Sequence, residues 1–244
     1  MKDRALGVGR RVLYIVAPKE RDRQRLRRLF RPVRFGSLGK VEPISDRWGL
    51  DRGTPIDRYY IEAFLARSSD RIRGRVLEVG DSRYADRFGA DIDRLEILDI
   101  RADNPRATIV ADLVAADAIP DASFDCLVVT QVLQYVSDPS AAIAQLHRIL
   151  APGGTLLLTL PVVSRTGRHD LGRDLWRFTP AAAERLLATV FDPAHVDVIG
   201  QGNTVAGIAF LAGVAAEDLR SSKLDVDDPF APVVVTARAT RSAD

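Results

Sequence analysis

From about Arg71 onward the chain alternates two kinds of segment, and this alternation limits the possible folds more than any other property of the sequence. Seven short runs are dense in β-branched and aliphatic residues: "RVLEVG" (75–80), "RLEILDI" (94–100), "ATIVADL" (107–113), "FDCLVVT" (124–130), "GGTLLLTLP" (153–161), "HVDVIG" (195–200) and "PVVVTARA" (232–239). Between them lie stretches such as "DPSAAIAQLHRILAPGG" and "TPAAAERLLATVF", whose apolar residues return at helical spacing. Strands alternating with helices predict an α/β fold, a doubly wound, mostly parallel seven-stranded sheet of Rossmann-like type with helices on both faces.

The 244 residues, 46% of them hydrophobic, suffice to bury one core of this kind. No apolar run approaches the ~18 residues needed to span a bilayer, and no contiguous apolar leader opens the sequence. A single cysteine, Cys126, sits inside an apolar run, so the chain builds neither a disulfide framework nor a thiolate metal site by itself. The expected compartment is the cytoplasm. Three scattered histidines without a paired motif give no metal site either.

Net charge divides the chain. Residues 1–40 hold thirteen Lys or Arg against three Asp or Glu, an excess of ten in a chain whose total is only +2. This basic N-terminal arm contains "KERDRQRLRRLFRPVRF", readable as a short basic helix stopped by Pro32. Two readings stay open for it, a solvated arm or one drawn to an anionic lipid surface or acceptor. No nucleic-acid-binding motif accompanies the charge, so nucleic acid is not an expected partner. Residues 41–70 read as an irregular lead-in followed by a helix from about Ile56 that covers the cleft, with the catalytic-type domain spanning 71–240.

In a parallel sheet of this kind ligands sit beyond the carboxyl ends of the strands. Those ends supply Glu78, Gly80, Asp81 and Ser82 after the first run, Asp99 after the second, Asp112 after the third, and Thr130 and Gln131 after the fourth. Gly80 followed by Asp99 meets the ~20-residue glycine-to-acid spacing of a dinucleotide site. The remaining fingerprint glycines are missing, and Glu78 and Asp81 flank the one present, which is a poor setting for a pyrophosphate. A ligand with ribose, adenine and a positive charge but no phosphate suits four converging carboxylates better, and S-adenosylmethionine has that chemistry.

Residues 76–160 resemble the class I S-adenosylmethionine-dependent methyltransferase core, through "VLEVG", "LDI", "ADL" and "LAPGGTLLLTLP" in that order. The flanks "WGLDRGTPIDRYYIEAFL", "DLWRFTP" and "GNTVAGIAFLAGVAAEDL" are similar to a bacterial subgroup of small methyltransferases found with glycan or secondary-metabolite assembly enzymes. Where the usual second glycine of the first motif stands, this chain has Ser82. The resemblance implies that Gly80 lets the backbone approach the methionine part of the cofactor, that Asp99 accepts from both ribose hydroxyls, and that Asp112 accepts from the adenine amine with Leu113 against the ring. It implies further cofactor-binding positions at Asp81, Ser82, Ile100, Thr130, Gln131 and Tyr59, and at Glu78 by way of the turn, whose backbone amides it would bond.

The polar segment "SRTGRHDLGRDLWRFTP" after the fifth run is where an acceptor would be met. His169, then Asp170, are the candidate bases; Arg173, Trp176 and Arg177 are the candidate acceptor contacts, Trp176 by offering a flat face and an edge donor. Trp176 and Phe178 have a second reading as residues that pin the loop. The function expected is methyl transfer to an oxygen, or second to that a nitrogen, of a small-molecule or glycan-type acceptor. A non-catalytic module of the same fold remains the alternative.

Overall fold

The computed structural model describes Leu29 and residues 36–243. The chain divides into a unit spanning residues 1–41 and a unit spanning 42–244. In the first, a 3-10 turn covers Gly36–Gly39; the basic helix expected before Pro32 lies outside the described residues, Leu29 apart.

The second unit is built on one seven-stranded sheet in the order β3-β2-β1-β4-β5-β7-β6. Its strands are β1 (Gly74–Val79), β2 (Ile92–Asp99), β3 (Ile109–Val110), β4 (Phe124–Thr130), β5 (Leu150–Pro161), β6 (Val196–Gln201) and β7 (Val234–Thr240). Strands β1 to β5 pair in parallel, whereas β7 runs antiparallel to both of its neighbours, β5 and β6. All seven expected runs are strands. The third is the shortest, two residues long at the sheet edge, with the Ala111 amide making a last bond to the Asp99 carbonyl of β2 at 3.1 Å.

Side chains on a strand alternate between its two faces, and each face here has its own core. Leu77, Leu127, Val129, Leu156 and Leu158 point to one face, where α3 (Pro139–Ile149) and α4 (Pro180–Leu187) cover them. Val76, Cys126, Val128 and Leu157 point to the other, under α1 (Ile56–Arg67), α2 (Arg83–Phe88) and α5 (Thr204–Ala212). The short α6 (Ser221–Leu224) closes that layer with Leu224. Burial on both faces explains the near-continuous apolar runs of β4 and β5. Each fully buried Leu or Ile adds roughly 1.5–3 kcal/mol.

Helix starts follow from local chemistry. Asp138 accepts from the amides of Ser140 and Ala141 ahead of α3, Thr179 from Ala182 ahead of α4, and Asn203 from Val205 and Ala206 ahead of α5. Proline opens α3 and α4, where its missing donor costs nothing.

Helix α5 ends at Gly213 with φ +73°, and against that end rests the lead-in to α1. The Ile44 amide donates to the Ala212 carbonyl at 2.7 Å, the Ala216 amide to the Thr54 carbonyl at 2.8 Å, and Arg52 pairs with Asp218. A Cβ on Gly213 would press into the Ser45 backbone carbonyl. Gly213→Ala is therefore expected to cost at least ~1–2 kcal/mol through the left-handed backbone alone. Gly207, within the same helix, has only an ordinary 3.7 Å contact in front of it, so Gly207→Ala is expected to be neutral or stabilising by up to ~1 kcal/mol. Urea denaturation of the two variants checks the opposite signs.

Candidate functional site

The cleft lies at the carboxyl ends of β1, β2 and β4, where the strand order reverses around β1. Its first wall is the turn after β1. Glu78 is 1% exposed and points beneath the turn, where its two carboxylate oxygens accept from the Tyr84 and Ala85 amides at 3.1 and 2.8 Å. Those are amides that a helix start would otherwise offer to a ligand phosphate, so the turn has no free pyrophosphate cradle. Burial pushes the Glu78 carboxyl up to about 7 against the pull of the two amides. Glu78 thus shapes the turn and does not reach the cleft.

Gly80 adopts φ +91° with open space where a Cβ would stand, and its carbonyl accepts from Asn104 Nδ2 at 2.8 Å. The same Asn104 nitrogen donates to Asp99 Oδ2 at 2.6 Å, and Asp99 Oδ1 accepts from the Arg101 amide. One amide therefore ties the glycine turn of β1 to the acid ending β2. Asn104 was missed in the sequence, although Asn104-Pro105 is a turn signal of the kind that would have drawn attention to it. Asp112 Oδ1 accepts from the Val114 amide, leaving its other oxygen uncommitted among the described residues, and Leu113 is buried beside it.

Three cavities meet here. Asp99, Ile100, Asp112 and Leu113 line one of about 480 Å³, together with Val136, Asp170 and Arg173. Gly80, Asp81, Thr130 and Gln131 line a second of about 310 Å³, roofed by Arg47, Trp48, Asp57 and Arg58. Val79 is common to both. A third, about 130 Å³, is lined by Gln134, Tyr135, Ser164, Arg165 and Arg177, and shares Trp48, Asp57 and Gln131 with the second. Gln131, at the tip of β4, has φ 54°, a strained value for a side-chain-bearing residue. Its amide is held by the Thr159 carbonyl at 3.0 Å.

Several expected positions fall elsewhere. Ser82 is 6% exposed, bonds Asp86, and lines none of these cavities. Tyr59 points to the opposite side of α1, where its hydroxyl donates to Asp225 and its ring faces Phe88 and Leu219. A residue on a helix turns by about 100° per step, so the neighbours Asp57, Arg58 and Ile61 face the cleft in its place.

His169 is exposed and lines none of the three cavities, which removes the geometric case for it as a base. Asp170 and Arg173 belong to the wall of the first cavity instead. Trp176 donates its Nε1–H to the Val136 carbonyl at 2.8 Å, so the edge donor expected for an acceptor is spent on holding the loop. Arg177 lines the third cavity with its charge matched by a two-pronged pair to Asp174. Phe178, 6% exposed, packs into the core and pins the segment there.

A family model described as a methyltransferase domain matches residues 73–158, which contain β1 to β4, α2, α3 and most of β5. Over 74 residues the chain is 34% identical to a protein of Mycolicibacterium smegmatis named "Probable S-adenosylmethionine-dependent methyltransferase". That alignment spans 30% of this chain and 29% of the relative. In three dimensions the chain is similar to an S-adenosylmethionine-dependent methyltransferase from Mesorhizobium loti, at 18% identity and TM-score 0.51 over 79% of this chain and 100% of the other. It is also similar to the N-methyltransferase NodS of Bradyrhizobium japonicum, solved with S-adenosyl-L-homocysteine, at 20% identity and TM-score 0.50 over 84% and 94%. At these identities the two structures share a fold with this chain.

The Glu78 carboxyl carries a pH signature. Its folded value near 7 lies above the ordinary 4.5, so the stability it contributes is full below about pH 4.5 and is lost as pH rises through 7. Comparing unfolding free energies of the parent and Glu78→Gln across that window should show the parent losing about 3 kcal/mol more than the variant. Equal slopes would show that folding does not raise the Glu78 carboxyl.

Proposed function

Starting from residues 73–158 as a class I S-adenosylmethionine-dependent methyltransferase domain, we propose that the protein transfers a methyl group to an oxygen, or second to that a nitrogen, of a small-molecule or glycan-type acceptor. The observation that carries this reading is the meeting of three cavities at the ends of β1 and β4, two of them along the acid-lined rim and the third across Asp57 and Gln131. Bound there, S-adenosylmethionine would supply a methyl group made electrophilic by its sulfonium. Asp99, preset by Asn104 and the Arg101 amide, would accept from ribose hydroxyls. Asp112 and Leu113 would take the adenine, and Gly80 the methionine backbone. The donor set fits a phosphate-free nucleoside cation, since the rim is acidic and the helix amides after β1 are already occupied by Glu78.

A hydroxylated acceptor finds matching groups in the third cavity. Gln134 Oε1 and Arg165 Nε are buried there without a hydrogen-bond partner among the described residues, one an acceptor and one a donor. Buried groups left unpaired cost about 1–3 kcal/mol each, so a ligand hydroxyl that satisfies both is favoured over an apolar one.

Calorimetry tests the assignment: the protein is expected to bind S-adenosylmethionine and S-adenosylhomocysteine and not NAD, and the reverse order would overturn it. Asp99→Ala should weaken that binding by roughly 1.5–3 kcal/mol with the fold intact. Mass spectrometry of a metabolite extract incubated with the protein and isotope-labelled methyl donor then identifies the acceptor.

We also propose that the basic arm, residues 1–40, adds attraction to an anionic surface, as its excess of ten positive charges supports. Sedimentation with phosphatidylserine vesicles should show binding in dilute buffer that fades as salt shortens the screening length to about 8 Å. No binding in dilute buffer leaves a solvated arm.

A further inference from the structure

Asp57 occupies the seam of the cleft. It lies in the first turn of α1, is half-buried, and lines both the second and the third cavity. Among the described residues its hydrogen bond is a single one, Oδ1 accepting from the Arg58 amide at 2.8 Å, and it enters no ion pair.

The charged groups around it are mostly committed elsewhere. Below it, after β1, Asp81 and Arg83 bond each other. On the third-cavity side Arg177 is paired with Asp174, and Arg165 donates to the Ser45 carbonyl while lying over the Trp48 ring. Arg47 and Arg58 stand on the roof, and the hydroxyls of Tyr84 and Tyr135 complete the titratable surroundings. Burial outweighs the pull of Arg58 and holds the Asp57 carboxyl up to about 6. An acid of that strength is available as a base near neutral pH.

We propose that Asp57 is the general base of the transfer, receiving the proton of an acceptor hydroxyl seated in the third cavity. This rests on the methyltransferase reading above. As the acceptor oxygen bonds to the methyl carbon, the methyl–sulfur bond breaks and its electron pair remains on sulfur, neutralising the sulfonium. The hydroxyl proton passes to the Asp57 carboxylate and from there to solvent, leaving a methyl ether and S-adenosylhomocysteine. The position serves this role because the group that accepts the proton must face both the methyl-bearing end of one cavity and the acceptor in the next. Asp57 does so, whereas His169 faces neither.

Carbon-13 NMR of protein labelled at the Asp carboxyls tests this without the acceptor, with Asp57→Asn used to assign the Asp57 signal. Two probes are compared, S-adenosylhomocysteine and its analogue bearing an amine where the methyl group sits. Asp57 is expected to titrate well above the ordinary Asp range with the first, and about one pH unit or more lower with the second, because the amine places a cation beside it. Asp57→Asn should bind S-adenosylhomocysteine within about twofold of the parent, as a residue that makes no bond to the product would. Identical titrations with the two probes, or a tenfold or greater loss of S-adenosylhomocysteine affinity in the variant, overturn the proposal, the latter by making Asp57 a cofactor ligand. Should Asp57→Asn fail to fold, Asp57→Glu assigns the signal and the parent's two titrations decide alone. Absence of S-adenosylhomocysteine binding to the parent protein would overturn the methyltransferase reading itself, a result distinct from the other two.

Discussion

The buried carboxylate of Glu78 holding the Tyr84 and Ala85 amides is the contact on which the cleft rests. It sits at the end of a strand whose neighbours on both sides are parallel, so the chain must leave the sheet abruptly. Anchoring the first turn of α2 to the last residues of β1 makes that exit tight and leaves Gly80 at the tip with φ +91°. The cost is a charge in an apolar layer, visible in the carboxyl held near 7. Occupied helix amides also decide ligand chemistry: the place that would attract a phosphate already has its anion.

The roof of the cleft depends on contacts made far along the chain. Residues 44–55 have no regular structure, yet Trp48 and Arg47 are placed over the second cavity because that segment is bonded to the end of α5 and the turn after it. Glu217 accepts from both the amide and hydroxyl of Thr54, and Arg52 adds its pair with Asp218. The ion pair is half-exposed and worth little by itself. Backbone bonds at both ends of the segment set its path, and the glycines at 49 and 213 let the two strands of chain approach.

How much of this was legible in the sequence follows the range of the interactions involved. Strands and helix starts were readable because pleat alternation, caps such as Asp138 and Thr179, and opening prolines act over a few residues. The acids of the rim were readable for the same reason, as they sit where strands end. Which face of α1 meets the cleft was not: charged and aromatic residues stand next to each other along the helix, and its rotation is set by Ile56, Tyr60, Ile61, Phe64 and Leu65 entering the same core as the distant Phe210 and Val233. Of the two readings left open for Trp176, the sequence could not favour the pinning one, because the partner of its indole, the Val136 carbonyl, lies 40 residues away in the chain.

The antiparallel β7 has a consequence for how the molecule is assembled. Among the described strands β6 hydrogen-bonds to β7 alone, and β7 fills the slot between β6 and β5. A nascent chain emerging in order can therefore zip β1, β2, β3, β4 and β5 together while β6, already made, waits without a partner. Only when residues 234–240 arrive does the sheet extend past β5, and the exposed flank of β5 stays a bare edge until then. The side of the cleft lined by Asp99 and Asp112 can form early in synthesis, while the side built from α5 and the turns beyond it is completed by the final insertion.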